Sequence, residues 1–413
     1  MKVAFETLGC RMNQFDTDLL KTKFADKGYE IVSFEDIADV YVINTCTVTV
    51  GGDRSSRQAI YQAKRRNPNA IVVATGCYAQ VSPEELAKLK EVDIVVGNTH
   101  KAELIKILEE FLEKRHKKVV VGEIFREKEV RSFDTVLYFE GVRPFIKVQE
   151  GCNKFCTFCV IPFARGKVRS VEKERVVEQV KILAQRGFKE IVLTGTQLSQ
   201  YGWDRGYDLY TLLKELIKIK GIELIRLSSM HIKEMNRNLV ELIVSEEKIA
   251  PHFHLSLQSG SNRILKLMDR GYTKEEYAEV VNFITEKRPL TSIGTDVIVG
   301  FPTEDEKDFE ETYEFLKELP IAYMHIFPYS DRPFTKASRI KPKVPERVKK
   351  ERVRILKELD TQKREMFFTK NKGKKLRAIV IEENRLLTEN YIDIKRKGFK
   401  NVGELVEIVI FCS

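Results

Sequence analysis

Cys152, Cys156 and Cys159 stand in the stretch GCNKFCTFC, a C-x3-C-x2-C spacing on a short glycine-led loop. Three thiolates this close can hold three irons of a cubane 4Fe-4S cluster and leave the fourth iron without a protein ligand. An iron with an open site can do chemistry, whereas a fully ligated cluster mainly moves electrons. A zinc knuckle or three buried thiols is the competing reading. Structural zinc takes four N or S ligands, commonly in paired C-x2-C units. No fourth Cys or His lies close by here, and the next histidine is His231.

Cys10, Cys46 and Cys77 are far apart but share a context, each just after a predicted strand: FETLGC, VINTC and VATGC. Ligand sites of open parallel sheets lie outside the carboxyl ends of the strands, so three such thiols can converge. Gly9 and Gly76 precede two of them, where a tight turn or a close backbone approach to a bulky group needs glycine. Three unrelated buried cysteines are the alternative. The pattern otherwise implies a second cluster with an open iron. Cys412 fits neither set and reads as a bystander.

Around these thiols the chain must supply positioning elements. Its 413 residues, at roughly 150 per domain, suggest two or three domains. Hydrophobic content of 43% and charged content of 32% suit globular cores. No apolar run reaches the ~18 residues of a membrane span, and the start lacks a signal-peptide apolar region. A cytoplasmic monomer is expected. The seven cysteines do not form a disulfide framework.

Residues 2–7, 40–44, 71–75 and 94–96 read as strands. Residues 15–27, 54–66, 83–89 and 101–114 read as helices, with Ser82 and Glu85 forming a capping box at the third. This alternation predicts a doubly wound parallel sheet. After a charged connector with one edge strand, a second alternating series offers strands at 145–149, 190–194, 224–227, 252–258, 292–299 and 324–327. Six strand–helix units are too few for a closed eight-fold barrel and predict a six-fold partial one. A basic helix over 346–368 and short β runs at 376–382, 391–394 and 405–411 finish the chain. The net charge of +10 is regional: 336–400 holds 22 Lys/Arg against 9 Asp/Glu, leaving the remainder net acidic. Such a block is the footprint expected for nucleic acid, against the alternative of a solvated Lys-rich surface.

Taken together, the chain resembles the radical S-adenosylmethionine methylthiotransferases along essentially its whole length. The C-x3-C-x2-C loop matches their radical-cluster motif, and TLGCRMNQFDTD, INTCTVT and TGCYAQ match their three-Cys auxiliary domain. LTGTQLSQYG (193–202), HLSLQSGSNRILKLMDRGYT (254–273), GTDVIVGFPTE (294–304) and FPYSDRPFTKAS (327–338) follow in family order. The resemblance implies an α/β fold with an auxiliary-cluster domain at 1–118, a radical SAM partial barrel with its trailing helix at 135–368, and a small all-β TRAM-like RNA-binding module at 370–413. It implies two 4Fe-4S clusters, one on Cys152, Cys156 and Cys159 and one on Cys10, Cys46 and Cys77. S-adenosylmethionine would be contacted by Phe158, Gly195, Thr196, Ser256, Gln258, Asp296 and Gly300. Implied partners are a tRNA anticodon stem-loop, an electron donor such as a flavodoxin or ferredoxin, and a sulfur source.

The family divides by substrate: N6-isopentenyladenosine or N6-threonylcarbamoyladenosine in tRNA, or an aspartate of a ribosomal protein. Residues 44–60, 75–80 and 162–170 resemble the threonylcarbamoyl branch. The aspartate branch typically has Pro where Arg11 stands, and the isopentenyl branch has Thr at Ala164. The threonylcarbamoyl group carries a carboxylate, and Arg165 and Arg169 are of a type suited to bidentate carboxylate recognition. Phosphate contact or a surface ion pair is the other reading of these arginines. Outside the class stands an Fe–S RNA-binding scaffold without catalysis.

Overall fold

Short β-rich runs ending in glycine or cysteine, each followed by an amphipathic helix, build the first part of the chain. In the computed structural model, which describes every residue except 132, 140, 412 and 413, strands β1 (Lys2–Thr7), β2 (Glu30–Val32), β3 (Val40–Thr45), β4 (Ile71–Gly76), β5 (Ile94–Val96) and β6 (Lys118–Val120) form one parallel sheet. Its order is β2-β1-β3-β4-β5-β6. Strands β3 and β4 are buried along their whole length, as expected of a sheet covered on both faces. Cores form on each side, around Tyr41, Ile60 and Tyr78 on one and Phe5, Phe24 and Leu108 on the other.

Three helices depart from the sequence expectation in the same direction. α1 (Arg11–Asp26) and α2 (Val50–Arg66) each begin four residues early, directly beyond Cys10 and Thr49. Thr49 Oγ1 accepts the Gly52 N–H at 3.1 Å, which caps α2 although two glycines lie in its first turn. α3 (Cys77–Val81) was not expected at all and starts on a cysteine. The Ser82 capping box does not form. Ser82 makes no side-chain cap, and Glu85 instead accepts the Tyr78 hydroxyl at 2.7 Å.

The second series gives β7 (Phe145–Glu150), β8 (Arg169–Ser170), β9 (Glu190–Gly195), β10 (Leu224–Leu227), β11 (His252–His254), β12 (Ser292–Val299) and β13 (Tyr323–Pro328). β9 and β10 pair in parallel, as do β11, β12 and β13. Isolated parallel bridges, Ile225 to Ile249 and Met230 to Leu255, join the two groups. β11 is shorter than expected because past His254 the pairing continues only as single bridges, Leu255 to Met230 and Gln258 to Val297, with Gln258 at φ +83°. A helix over Glu346–Asn371 leads to β14 (Lys375–Glu382), β15 (Arg385–Thr388), β16 (Asp393–Lys395) and β17 (Leu405–Val409). They form an antiparallel sheet in the order β16-β15-β14-β17 around Leu376, Val380, Leu386 and Ile408. β15, like β2 and β8, is absent from the strands expected from the sequence.

Two compact units result, and their limits are not those of the sequence motifs. One comprises 1–140, 149–171 and 330–338; the other comprises 141–148, 172–329 and 339–413. The C-x3-C-x2-C loop thus belongs with the N-terminal sheet, and the C-terminal β module belongs with the barrel strands. In that second unit Arg226, fully buried, pairs with Glu190 at 2.8 Å and donates to the carbonyls of Thr388 and Glu389. Tyr391 stacks on His252 with centroids 4.0 Å apart. No described helix is long and apolar enough to cross a membrane.

Candidate functional site

Sheet order explains the first thiol group. β1, β3 and β4 are immediate neighbours, so residues just past their carboxyl ends stand side by side at the ~4.8 Å strand spacing. Cys10 follows β1 at the start of α1, Cys46 follows β3, and Cys77 follows β4 and opens α3. Gly9, at φ +96°, permits the approach: a Cβ there would sit 2.8 Å from the Cys46 Sγ. Gly76, also at φ +96°, would place a Cβ 2.5 Å from the Thr45 carbonyl. Asn13 ties two of the loops together, donating to the Leu8 carbonyl at 2.7 Å and the Thr45 carbonyl at 3.0 Å.

Cys46 and Cys77 are buried and Cys10 is exposed; none of the three is in a disulfide. Burial, reinforced by the neighbouring Cys77 thiol, pushes the Cys46 thiol up to about 12. Cys46, whose ionisation its two neighbouring thiols oppose, fits a ligand bringing its own positive charge, since metal ligation takes thiolates.

The second thiol group lies in the same unit. Gly151 has φ +78°, and a Cβ there would lie 1.9 Å from the Lys167 carbonyl oxygen. Cys152 N–H donates to the Gly166 carbonyl at 3.0 Å and Cys159 N–H to that of Cys156 at 2.9 Å, so the loop is closed at its root and tight at its tip. Phe155 stacks on Phe125, and Ala337 N–H donates to Thr157 at 2.8 Å. Cys152 and Cys159 are half-buried and Cys156 is buried. Phe158 is half-buried beside them. Val160 and Ala164, just beyond the loop, pack against Cys77 and Val81. Asn98 Nδ2 reaches both the Ala164 carbonyl (2.9 Å) and the Cys77 Sγ (3.9 Å). We expect Gly151→Ala to lose the loop's cluster and S-adenosylmethionine cleavage while the iron held by the first thiol group stays; iron analysis with a 5′-deoxyadenosine assay checks this.

The two arginines assigned to the substrate carboxylate lie elsewhere than that role needs. Arg165 is 2% exposed; its Nη1 pairs with Asp16 at 3.0 Å and Glu150 at 2.5 Å, and its Nη2 donates to Asn13 Oδ1 at 2.5 Å. Arg169 is 5% exposed, donates to the Arg165 carbonyl at 2.6 Å and faces Glu150 at 3.7 Å. A substrate carboxylate would have to displace buried partners already in place, so we read both as scaffold. Asp16 also pairs with buried Lys101 at 2.8 Å. This polar set went unnoticed in the sequence, yet α1 carries a signal of it: Asn13, Asp16 and Thr17 follow helical spacing. A second buried pair, Asp53 with Arg332 at 2.7 Å, joins Thr47 behind the Cys46 loop.

The remaining expected cofactor contacts belong to the barrel unit. Gly195 ends β9 and Thr196 follows it. Glu234 accepts from Gln197, Ser199 and Gln200 at 2.7–3.0 Å, fixing that loop. The Ser256 carbonyl accepts from Arg270 and Tyr272, while Gln258 N–H donates to the Asp296 carbonyl at 2.8 Å. Gly300, at φ +73°, has no room for a Cβ beside Lys349. Asp296 lies 3.3 Å from both His254 and His325. Burial opposes its charge, but the two nearby imidazoles, His325 through a hydrogen bond, hold its carboxyl well below the usual range. His325 was absent from the sequence reading because nothing in its local pattern marks it.

A three-thiol C-x3-C-x2-C loop and a set of parallel β/α barrel strands in one chain are the marks of the radical S-adenosylmethionine class. The model of the Radical SAM superfamily matches residues 146–316, and that of Uncharacterized protein family UPF0004 matches 2–97. The threonylcarbamoyladenosine tRNA methylthiotransferase MtaB of Aquifex aeolicus is 84% identical over 410 residues, covering 99% of this chain and all of that one. Its Bacillus subtilis namesake is 40% identical, with 99% and 93% covered. Among solved structures, the radical S-adenosylmethionine methyltransferase TsrM of Kitasatospora setae, with cobalamin and a [4Fe-4S] cluster bound, shares the fold at TM-score 0.60 and 15% identity, over 82% of this chain and 77% of that one. The chain belongs to the radical S-adenosylmethionine methylthiotransferase family, in the branch of the two MtaB relatives. S-adenosylmethionine and 4Fe-4S clusters are that family's cofactors.

Proposed function

We propose that this chain transfers a methylthio group to C2 of N6-threonylcarbamoyladenosine at position 37 of tRNA. The full-length likeness to the Aquifex aeolicus protein carries the reading, supported by six cysteines gathered as two threefold sets in one unit. Cys152, Cys156 and Cys159 hold one cluster, and Cys10, Cys46 and Cys77 hold the other. When bound, the clusters and S-adenosylmethionine supply radical activation of an aromatic C–H and the sulfur for the new bond. Phe158, Gly195, Thr196, Ser256, Gln258, Asp296 and Gly300 hold the cofactor. Asp296, kept ionised between His254 and His325, is a fixed anion suited to a cationic or hydrogen-bond-donating group.

Residues 1–118, 135–368 and 370–413 serve as auxiliary, radical and RNA-binding regions. The basic tract from 336 to 400 grips anticodon stem-loop phosphates, and the target base is splayed out of its stack, as is usual for single-stranded RNA targets. A flavodoxin or ferredoxin delivers electrons, a separate donor supplies sulfur, and the protein works in the cytoplasm. Nucleoside mass spectrometry of tRNA from cells with and without the gene tests the substrate: 2-methylthio-N6-threonylcarbamoyladenosine should vanish in the deletion, and its persistence would refute the assignment.

A further inference from the structure

Arg165 joins the segment after the radical-loop cysteines to the residues carrying the other thiol group. It reaches Glu150 at the root of that loop, Asp16 on α1, and Asn13. Asn13 in turn fixes the carbonyls of Leu8 and Thr45, the residues leading into Cys10 and Cys46. The residue before Arg165, Ala164, packs with Cys77, and Asn98 Nδ2 reaches both the Ala164 carbonyl and the Cys77 Sγ.

We propose that Arg165 is a positioning residue that sets the reduction potential of the cluster on Cys10, Cys46 and Cys77, its fixed positive charge favouring the reduced, more negative form. This rests on the reading that those three cysteines hold a cluster. The charge sits at 2% exposure, where water screens it little. Asp16 and Glu150 offset part of it. Lys101, lowered by burial and partly restored by Asp16, stands beyond Asp16 and answers that carboxylate. Arg169 answers Glu150.

The test uses the full chain with Cys152, Cys156 and Cys159 changed to Ala, reconstituted with iron and sulfide, so that one cluster is read alone. An iron count near four per chain in this parent upholds the cluster reading, and its absence defeats that reading rather than the inference. In a parent that loads, an EPR-monitored redox titration should place Arg165→Gln lower by about tenfold in the reduction equilibrium, or about 59 mV for one electron. Arg165→Lys, which keeps the charge but not the fork, should stay near the parent. Asn13→Leu, which breaks the carbonyl tie but not the charge, should move the potential less than Arg165→Gln. Equal potentials in parent and Arg165→Gln overturn the proposal. If Arg165→Gln does not load iron, Glu150→Gln decides: removing that carboxylate should raise the potential, and an unchanged or lowered value overturns the proposal.

Discussion

Cys77→Ala should cut bound iron from about eight to about four per chain and abolish methylthio product, while S-adenosylmethionine is still cleaved to 5′-deoxyadenosine. The expectation follows from where Cys77 sits. It follows β4, next to the strand that leads into Cys46, and opens α3, so removing it leaves two ligands for a group that needs three. Its neighbours on the radical side, Val160 and Ala164, are apolar and tolerate a smaller side chain at some packing cost. The radical-loop cysteines keep their own backbone closure through Gly166 and Cys156. Anaerobic iron and sulfide analysis with product chromatography separates the outcomes. Methylthio product from this variant would sink the auxiliary-cluster assignment, and loss of both activities would mean the two thiol groups are not separable.

Arg226→Ala should destabilise the barrel unit by about 3–5 kcal/mol, the usual cost of breaking a buried charge pair from one side. Arg226 and Glu190 are both fully buried, and the guanidinium also lies 5.2 Å from the Tyr391 ring centroid. The substitution leaves Glu190 with Arg143 at 2.9 Å, removes the Arg226 donor from the Glu389 carbonyl, and leaves the Thr388 carbonyl with the Tyr391 N–H alone. Burial alone would raise the Glu190 carboxyl, but Arg226 and Arg143 together hold it below its ordinary value. A lowered folded-state value means that this contribution is present above the usual glutamate range and is lost as pH falls through the folded one. Urea unfolding at neutral pH measures the effect. A loss under about 1 kcal/mol, the range of exposed pairs, would show that the docking of the module does not depend on this pair.

Much of the fold was legible because its signals are local. Parallel strands read as apolar runs, and all four expected N-terminal strands and six barrel strands are present. The grouping of the cysteines was legible because three of them each follow a strand and the other three share one loop. The misses share another cause. α1, α2 and α3 begin on or next to cysteine loops, where glycines and polar residues mask the helical pattern. Arg165 and Arg169 were misjudged because spacing locates a charge along the chain but says nothing of its burial. Asp16 and Glu150, which claim them, lie far away or across a loop. His325 joined Asp296 only through the pairing of β12 with β13.

The interleaving of the first unit has a consequence for how the protein is made. Asp53, beside the Cys46 loop, meets its cation at Arg332, 279 residues later. Asn13, beside Cys10, meets Arg165 after 152. A ribosome therefore delivers Cys10, Cys46 and Cys77 long before the residues that neutralise and brace their surroundings. A nascent chain that stops before residue 332 has all three thiols and the Thr47 hydroxyl on Asp53, but not the guanidinium that pairs with that buried carboxylate.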